Sequence, residues 1–220
     1  MSSSPLCVVV GVGSGLGFSV AKRFGREGFR LALVARTEDT LEKHIDALKE
    51  LSVEARAFAA DAERAESLQD ALRRIEEDMG PVEVLVYNAA AVNPAMPTGL
   101  GVEALMRDLR VNVGGALVAA QAVLPHMREK KAGTILFTGG GLALEPWPEM
   151  TSLAIGKAGI RSLAFSLSKE VGREGIHVAT VTIAGIIKPG TSFDPDALAD
   201  VYWALHTQPK DGWEVERVIR

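Results

Sequence analysis

The sequence predicts an α/β fold of the doubly wound type, in which helices cover both faces of a predominantly parallel sheet. Short apolar runs rich in β-branched residues alternate with longer amphipathic runs from end to end, and this alternation is typical of consecutive βα units. A glycine-rich segment also follows the first apolar run directly. The 220 residues suit one large domain. Because no linker rich in proline, glycine or serine divides them, a single domain is expected over residues 1–220.

Six apolar runs are predicted to be strands because they are short and rich in apolar, often β-branched residues. They are 6–11, 29–35, 54–60, 82–87, 133–139 and 176–183. Helices are predicted for the longer runs between them, at 15–27, 39–51, 64–79, 101–130 and 151–174, with a break near Gly114 and Gly115. A shorter helix at 195–206 and an edge segment at 212–219 complete the predicted fold.

The charge of the chain narrows the range of partners. The formal net charge is −4, so the sequence offers no basic face to attract nucleic acid or an anionic membrane. A small-molecule partner is therefore expected. None of the four histidines has another histidine, a cysteine or a paired carboxylate at metal-ligand spacing, so no metal site is predicted.

Cysteine usage and the N-terminal segment indicate a reducing, cytoplasmic location. The one cysteine, Cys7, lies in an apolar run and cannot form an internal disulfide, which favours a buried packing role. The apolar run near the N-terminus is short and interrupted by glycines. Neither a signal peptide nor a transmembrane segment is predicted there.

A glycine pattern stands between the first predicted strand and the first predicted helix, at Gly11, Gly15 and Gly17. Glycines at this place let the chain turn tightly and let a pyrophosphate approach backbone N–H groups without a Cβ in the way. The helix N-terminus adds a partial positive charge. The pattern favours a Rossmann-like dinucleotide site, and the alternative is a glycine-rich turn without a ligand.

The end of the second predicted strand discriminates between the two nicotinamide cofactors. Folds that bind NAD usually present an acidic residue there to the ribose hydroxyls, whereas a phosphate on that ribose favours an arginine. Here Ala35 stands where the acid is expected, and Arg36 follows it. The sequence therefore predicts NADP in preference to NAD, and the alternative is an exposed arginine in a loop.

Two loops that contain prolines, 93–101 and 143–150, each follow a predicted strand. Open parallel sheets bind ligands at the carboxyl ends of their strands. These loops are therefore candidate walls of a pocket, although prolines also occur in turns that bind nothing.

Five segments, in order, make the chain resemble the short-chain dehydrogenase/reductase family. They are the GxxxGxG glycine pattern; Asp61 after the third strand; YNAA, with Asn88 and Ala89, in place of NNAG; Asn112 in RVNVGG; and IAGII, with Gly185, in place of a PG turn. The resemblance implies a cofactor held by Gly11, Ser14, Gly15, Leu16, Gly17, Arg36, Asp61, Ala62, Asn88, Ala89, Lys157, Gly185 and Ile187. It also implies catalytic roles for Lys157 and Asn112.

Two catalytic positions of this family are occupied by other residues. Family members use a serine, a tyrosine and a lysine, and they space the last two as YxxxK. Here the lysine is Lys157, but Leu153 occupies the tyrosine position and Gly140 the serine position. The tyrosine donates a proton as the hydride arrives, because a neighbouring ammonium lowers its pKa. The hydride-transfer reaction usual in this family is therefore expected to be strongly impaired.

Other side chains offer hydroxyls that could substitute for the missing phenol. Neither Tyr87 nor Tyr202 falls at the required place in the sequence. The hydroxyls of Thr138, Thr151 and Ser152 are candidates, but aliphatic hydroxyls are much weaker acids than a phenol. Lys157 itself is expected to hold the nicotinamide ribose, and the alternative is a lysine that extends to solvent.

The leading hypothesis is an NADP(H)-dependent oxidoreductase that acts on a small carbonyl or alcohol. The alternative is a catalytically silent relative that binds NADP(H) or builds oligomers, and a third possibility is a scaffold that binds no nucleotide. The resemblance implies a homodimer or homotetramer through the two long helices, whereas packing within the monomer would explain the same residues. It also implies a short substrate lid at 188–206, over a pocket that Trp147, Met150 and Trp203 could line.

Overall fold

A computed structural model of the protein describes residues 4–37 and 39–220. Residues 1–3, at the start of the segment in which the sequence predicts no signal peptide, lie outside the described ranges. Seven strands form one sheet, and each pairing within it is parallel. They are β1 Leu6–Val10, β2 Arg30–Ala35, β3 Ala55–Ala59, β4 Val84–Tyr87, β5 Gly133–Thr138, β6 Ile176–Ile183 and β7 Glu216–Ile219.

The strand order is β3-β2-β1-β4-β5-β6-β7, so the direction of winding reverses between β1 and β4. Strands in such a sheet are buried on both faces, which explains their continuous apolar runs. In β1, Leu6 and Val8 pack into the core on one face, while Cys7 and Val9 pack into the core on the other. Burial also raises the pKa of the Cys7 thiol. The predicted doubly wound α/β fold is confirmed.

Helices cover both faces of the sheet. They are α1 Leu16–Arg26, α2 Asp39–Glu50, α3 Ala65–Met79, α4 Val102–Leu109, α5 Gly115–Lys130, α6 Thr151–Val171 and α7 Pro195–His206. Buried side chains of α3, α5 and α6 form the core on one face, and those of α1, α2 and α7 form it on the other. None of the described helices has the length and apolar character needed to cross a membrane.

The predicted helix at 101–130 is continuous where a break was expected. The π-helical turn Arg110–Gly114 joins α4 to α5. Gly114 and Gly115 both keep right-handed helical dihedral angles, so the hydrogen-bond spacing changes but the helix does not end. The next helix, α6, ends at Val171 and is followed by a 3₁₀ turn at Gly172–Glu174, so the prediction of helix to 174 was too long.

Helix α7, the second part of the lid predicted at 188–206, packs one face into the core. Leu198, Tyr202 and Leu205 are buried in the core that α7 shares with α1. Trp203, expected to line a pocket, packs edge-on against Phe24 of α1, with ring centroids 5.3 Å apart. An amphipathic helix buries its apolar face where a matching face exists, and the other face of α7, with Asp196, Ala197 and Asp200, stays exposed.

One histidine on α7 is expected to make stability depend on pH. Burial, helped by the nearby His177, lowers the pKa of His206 from 6.5 to about 4, and its Nδ1 lies 2.9 Å from Thr134 Oγ1. Between these two pH values the unfolded chain binds a proton that the folded protein excludes. The contribution of His206 to stability is therefore present above pH 6.5 and is lost as the pH falls to about 4.

Urea unfolding between pH 7.5 and 4 measures this effect. The His206→Gln variant, which cannot titrate, should lose less free energy of unfolding across this range than the wild type loses. Carboxylates titrate in both proteins, so the difference between the two slopes reports the histidine. Equal slopes would show that His206 is protonated at the same pH in the folded and unfolded states.

Candidate functional site

A cavity of about 890 Å³ opens at the carboxyl ends of β1 and β4, where the strand order reverses. This is where open α/β sheets bind their ligands. Most residues predicted to contact a cofactor line it: Gly11, Gly15, Leu16, Gly17, Arg36, Asp61, Ala62, Asn88, Ala89 and Ile187. Three others, Ser14, Lys157 and Gly185, do not form part of its lining.

The glycine pattern serves two different purposes at the edge of this cavity. Gly11 has φ +89°, and a Cβ built on it would lie 2.3 Å from the backbone nitrogen of Ala89. A Cβ on Gly17 would lie 2.7 Å from the carbonyl oxygen of Gly11. These two glycines are required by backbone packing. A Cβ on Gly15 would meet no atom within 4 Å, so this glycine leaves room for a ligand.

Helix α1 begins beside the open space at Gly15. Its N-cap is Gly15, which has no side chain to cap the first turn, and that turn contains no acidic residue. The first backbone N–H groups of a helix lack partners within the helix and carry partial positive charge. This end of the cavity therefore suits an anionic group such as a diphosphate.

The opposite part of the cavity is lined by Arg36 and by the segment after β3. Asp61 Oδ1 accepts a hydrogen bond from the backbone nitrogen of Glu63, at 3.0 Å. The backbone nitrogen of Asp61 donates to Ser67 Oγ, at 3.1 Å. These bonds fix the turn that carries Ala62, while Arg36 lies exposed at the end of β2.

The loop after β4 is fixed at two points by side-chain amides. Asn88 Nδ2 donates to the carbonyl oxygen of Gly11, at 2.8 Å, and Asn88 Oδ1 accepts from Thr138 Oγ1, at 2.9 Å. Asn112, in the π-helical turn, holds Ala91 at both backbone groups, at 2.7 Å to the nitrogen and 3.1 Å to the oxygen. Asn112 thus acts on the shape of the loop, which is a positioning contact.

Lys157 lies on α6 one turn after Leu153, so both side chains share a face of the helix. Its Nζ donates to the carbonyl oxygen of Thr138, at 2.7 Å, and burial lowers the pKa of Lys157 to about 8. A Cβ on Gly140 would lie 3.2 Å from the Cγ atom of Lys157. The Leu153 and Gly140 positions therefore adjoin the lysine in space, as they do in the sequence pattern.

Both tyrosines are buried, and each hydroxyl has a partner within the fold. The hydroxyl of Tyr87 donates to the carbonyl oxygen of Val111, at 2.5 Å, and the hydroxyl of Tyr202 lies 2.7 Å from Thr138 Oγ1. Burial raises the pKa of both phenols. Neither phenol is therefore suited to donate a proton to a ligand.

The three candidate aliphatic hydroxyls have partners elsewhere. Thr138 Oγ1 bonds to Asn88 and Tyr202, and Thr151 Oγ1 donates to the carbonyl oxygen of Pro148, at 2.8 Å. Ser152 is fully buried, and its Oγ donates to a carboxylate oxygen of Asp108, at 2.6 Å. Each hydroxyl is therefore held by a hydrogen bond within the fold.

Gly185, predicted to contact the cofactor, is exposed, and the ring of Phe193 packs against one side of it. A Cβ on Gly185 would lie 2.2 Å from the ring of Phe193, so a glycine is needed for this ring to pack. Ile187, two residues later, does line the main cavity. The exposed segment before α7 is thus attached to the end of β6 by Phe193 and reaches the cavity through Ile187.

The two proline-containing loops lie side by side. The backbone nitrogen of Ala95 donates to the carbonyl oxygen of Glu149, at 2.8 Å. Both loops border a second, smaller cavity of about 440 Å³. Its walls are mainly apolar: Pro97, Leu142, Ala143, Pro146, Trp147, Pro148, Thr151, Ala154, Ile155 and Ala158. Met150, expected to line a pocket with Trp147, is not part of this wall.

The sequence did not predict four residues of one cavity wall, Val92, Arg107, Asp108 and Val111, which adjoin Asn93 of the predicted loop 93–101. Arg107 and Asp108 lie on α4, one turn before Asn112. The helical spacing of Asp108 and Asn112, four residues apart, was the available signal. It could not be used, because the sequence does not show which face of α4 meets the loop after β4.

Comparisons with known proteins give consistent matches over nearly the whole chain. The family model described as short chain dehydrogenase matches residues 6–194. An uncharacterized oxidoreductase of Staphylococcus epidermidis is 27% identical over 213 residues, which cover 93% of this chain and 91% of the relative.

Solved structures match the fold closely. A metagenomic short-chain oxidoreductase in complex with NADP has a TM-score of 0.91 and 23% identity, covering 100% of this chain and 99% of that one. An alcohol dehydrogenase from the archaeon Thermococcus sibiricus, complexed with 5-hydroxy-NADP, has a TM-score of 0.89 and 25% identity, covering 98% and 96%.

The backbone contact at Gly11 can be tested by adding one methyl group. We expect Gly11→Ala to lower the free energy of unfolding by about 2–4 kcal/mol, because it combines an unfavourable positive φ with a clash against backbone atoms. Gly13→Ala is the matched control, since its Cβ would meet nothing within 4 Å. Chemical denaturation measures both variants, and equal stabilities would contradict the packing role of Gly11.

Proposed function

This chain belongs to the short-chain dehydrogenase family, as its sequence resemblance predicted, and on that premise we propose that it is an NADP(H)-dependent oxidoreductase of a small carbonyl or alcohol. The observation that supports this most directly is the cavity at the switch point of the sheet, where Gly15 leaves open space beside the uncapped start of α1. The backbone N–H groups at the start of α1 suit a diphosphate. When bound, a nicotinamide nucleotide supplies or accepts the hydride.

The residues that would hold the nucleotide follow from the lining of the cavity. The backbone around Gly15 and Leu16 would bind the diphosphate, and Asp61 and Ala62 would bind the adenine. Arg36 favours a phosphate on the adenosine ribose, where an acidic residue would repel it. The NADP in the metagenomic relative and the 5-hydroxy-NADP in the archaeal one are consistent with this preference.

Proton delivery is where this chain departs from its family. Reduction of a carbonyl needs a proton at the oxygen that becomes a hydroxyl, and the Leu153 side chain has none to donate. Lys157 is the titratable group one turn away, and its pKa of about 8 lets it hold or release a proton near neutral pH. We therefore propose slow turnover, with Lys157 or solvent as the proton source.

A second candidate is a catalytically silent relative that keeps the nucleotide site. Leu153 and Gly140 favour it, because the two hydroxyls that the family uses are both missing. In this case the protein would act through nucleotide binding or assembly.

The exposed Leu117 of α5 and Ile155 of α6 support assembly into a homodimer or homotetramer through these two helices. The cytoplasm is the expected location of the protein. NADPH titration followed by a panel of carbonyl compounds separates the two candidates.

Cofactor preference can be tested at Arg36. We expect Arg36→Leu to weaken NADPH binding about tenfold or more and to leave NADH binding nearly unchanged, because only NADPH carries the phosphate that the guanidinium would contact. Isothermal titration calorimetry measures both. Arg56→Leu, at an exposed position on β3 outside the cavity lining, removes the same charge as a control. An equal loss for both nucleotides would argue against the phosphate contact.

Restoring the missing acid tests the proposed reaction. We expect Leu153→Tyr, alone or with Gly140→Ser, to raise kcat for carbonyl reduction by about 10²–10⁴, the contribution typical of an oriented general acid. In the double variant the Lys157 stem must shift slightly to admit the new Cβ. Leu153→Phe fills a similar volume without a hydroxyl and is the control. If the variant binds NADPH but its turnover stays at the wild-type level, the silent candidate is favoured.

A further inference from the structure

A buried carboxylate of α4 lies at the wall of the main cavity. Asp108 is only 2% exposed. Its Oδ1 accepts a hydrogen bond from Asn93 Nδ2, at 2.5 Å, and its Oδ2 accepts one from Ser152 Oγ, at 2.6 Å. The two donors belong to different parts of the fold, the loop after β4 and the first turn of α6. Asp108 therefore connects three segments of the chain at one point.

This connection extends the contact that Asn112 makes with the same loop. Asn112 holds Ala91 at both backbone groups, and Asp108, one helical turn earlier, holds Asn93. Residues 91–93 all line the main cavity, as does Asp108 itself. On the other side, Ser152 immediately precedes Leu153. The carboxylate thus sets the distance between the cavity wall at Asn93 and the start of the helix that carries Leu153 and Lys157.

The two hydrogen bonds that Asp108 accepts depend on the positions of both donor segments. No cation lies within ion-pair distance of Asp108 in the described part of the chain. The carboxylate depends on its two neutral donors, and a buried charge that loses a donor is strongly disfavoured. A displacement of either the loop or the start of α6 would break one bond. Asp108 therefore favours a single arrangement of both.

We propose that Asp108 is a positioning residue that holds the loop after β4 against α6 and thereby sets the affinity of the cavity for a nicotinamide nucleotide. This inference rests on the proposed function, because the affinity is that for NADPH. It assigns to Asp108 no contact with the reacting atoms. It predicts that the cavity keeps its shape only when one of the side chains at positions 93 and 108 is charged and the other is neutral.

A charge exchange between the two positions provides the test. In Asn93→Asp, two carboxylates face each other, and we expect NADPH binding to weaken about tenfold. In the double variant N93D/D108N, the new amide at position 108 donates to position 93 and still accepts from Ser152. We expect its affinity to return to within about threefold of the wild type. Calorimetry well below the melting temperature of each variant measures binding to folded protein only.

Hydrogen exchange of the nucleotide-free protein gives an independent readout. Amides of residues 91–95 should exchange faster in N93D than in the wild type, and the double variant should restore their protection. If the wild type binds no NADPH, the proposed function fails, while this exchange pattern still tests the contact. A double variant with no better protection than N93D, or an N93D variant with wild-type protection and affinity, would overturn the role of Asp108.

Discussion

The close approach of two backbones, at Gly11 after β1 and at Ala89 after β4, is the constraint on which the rest of the site depends. These strands are neighbours in the sheet, but their loops turn toward opposite sides, which creates the cavity between them. A side chain at position 11 would occupy the space of the Ala89 backbone. Asn88 then ties the two loops together through the Gly11 carbonyl and extends the connection to Thr138 on β5. Three strand ends are thereby fixed relative to one another.

On this base, side chains from one helical segment determine the shape of the cavity wall. Asn112 and Asp108 lie one turn apart where α4 passes into the π-helical turn, and each holds a different residue of the loop after β4. The π-helical turn lets the helix continue through Gly114 and Gly115, so α4 and α5 form one support. The polar side chains of Asn112 and Asp108 thus hold the loop in place. Backbone groups and a few charged side chains of the cavity remain free to contact a ligand.

The remaining chemistry is that of a lysine without its usual phenol. In family members the ammonium lowers the pKa of a tyrosine on the preceding turn, whereas here that turn presents Leu153. Burial lowers the pKa of Lys157 itself, and its amine bonds to a backbone carbonyl. Under the proposed function, nucleotide binding and proton transfer would therefore be separable properties of this chain.

Local patterns determined the fold class, the order of the elements and the glycine loop, because apolar periodicity and glycine spacing act over a few neighbouring residues. The family resemblance identified Lys157, Leu153 and Gly140 as a group, and the structure places Gly140 against the Lys157 side chain. Tertiary structure alone decided that the helix continues from α4 through Gly114 into α5, that α7 packs on α1, and that Asn93, Asp108 and Ser152 meet. Asp108 lies 15 residues from Asn93 and 44 from Ser152. Contacts over such separations depend on which helix faces meet across the sheet, and the sequence specifies that only through the packing of the whole core.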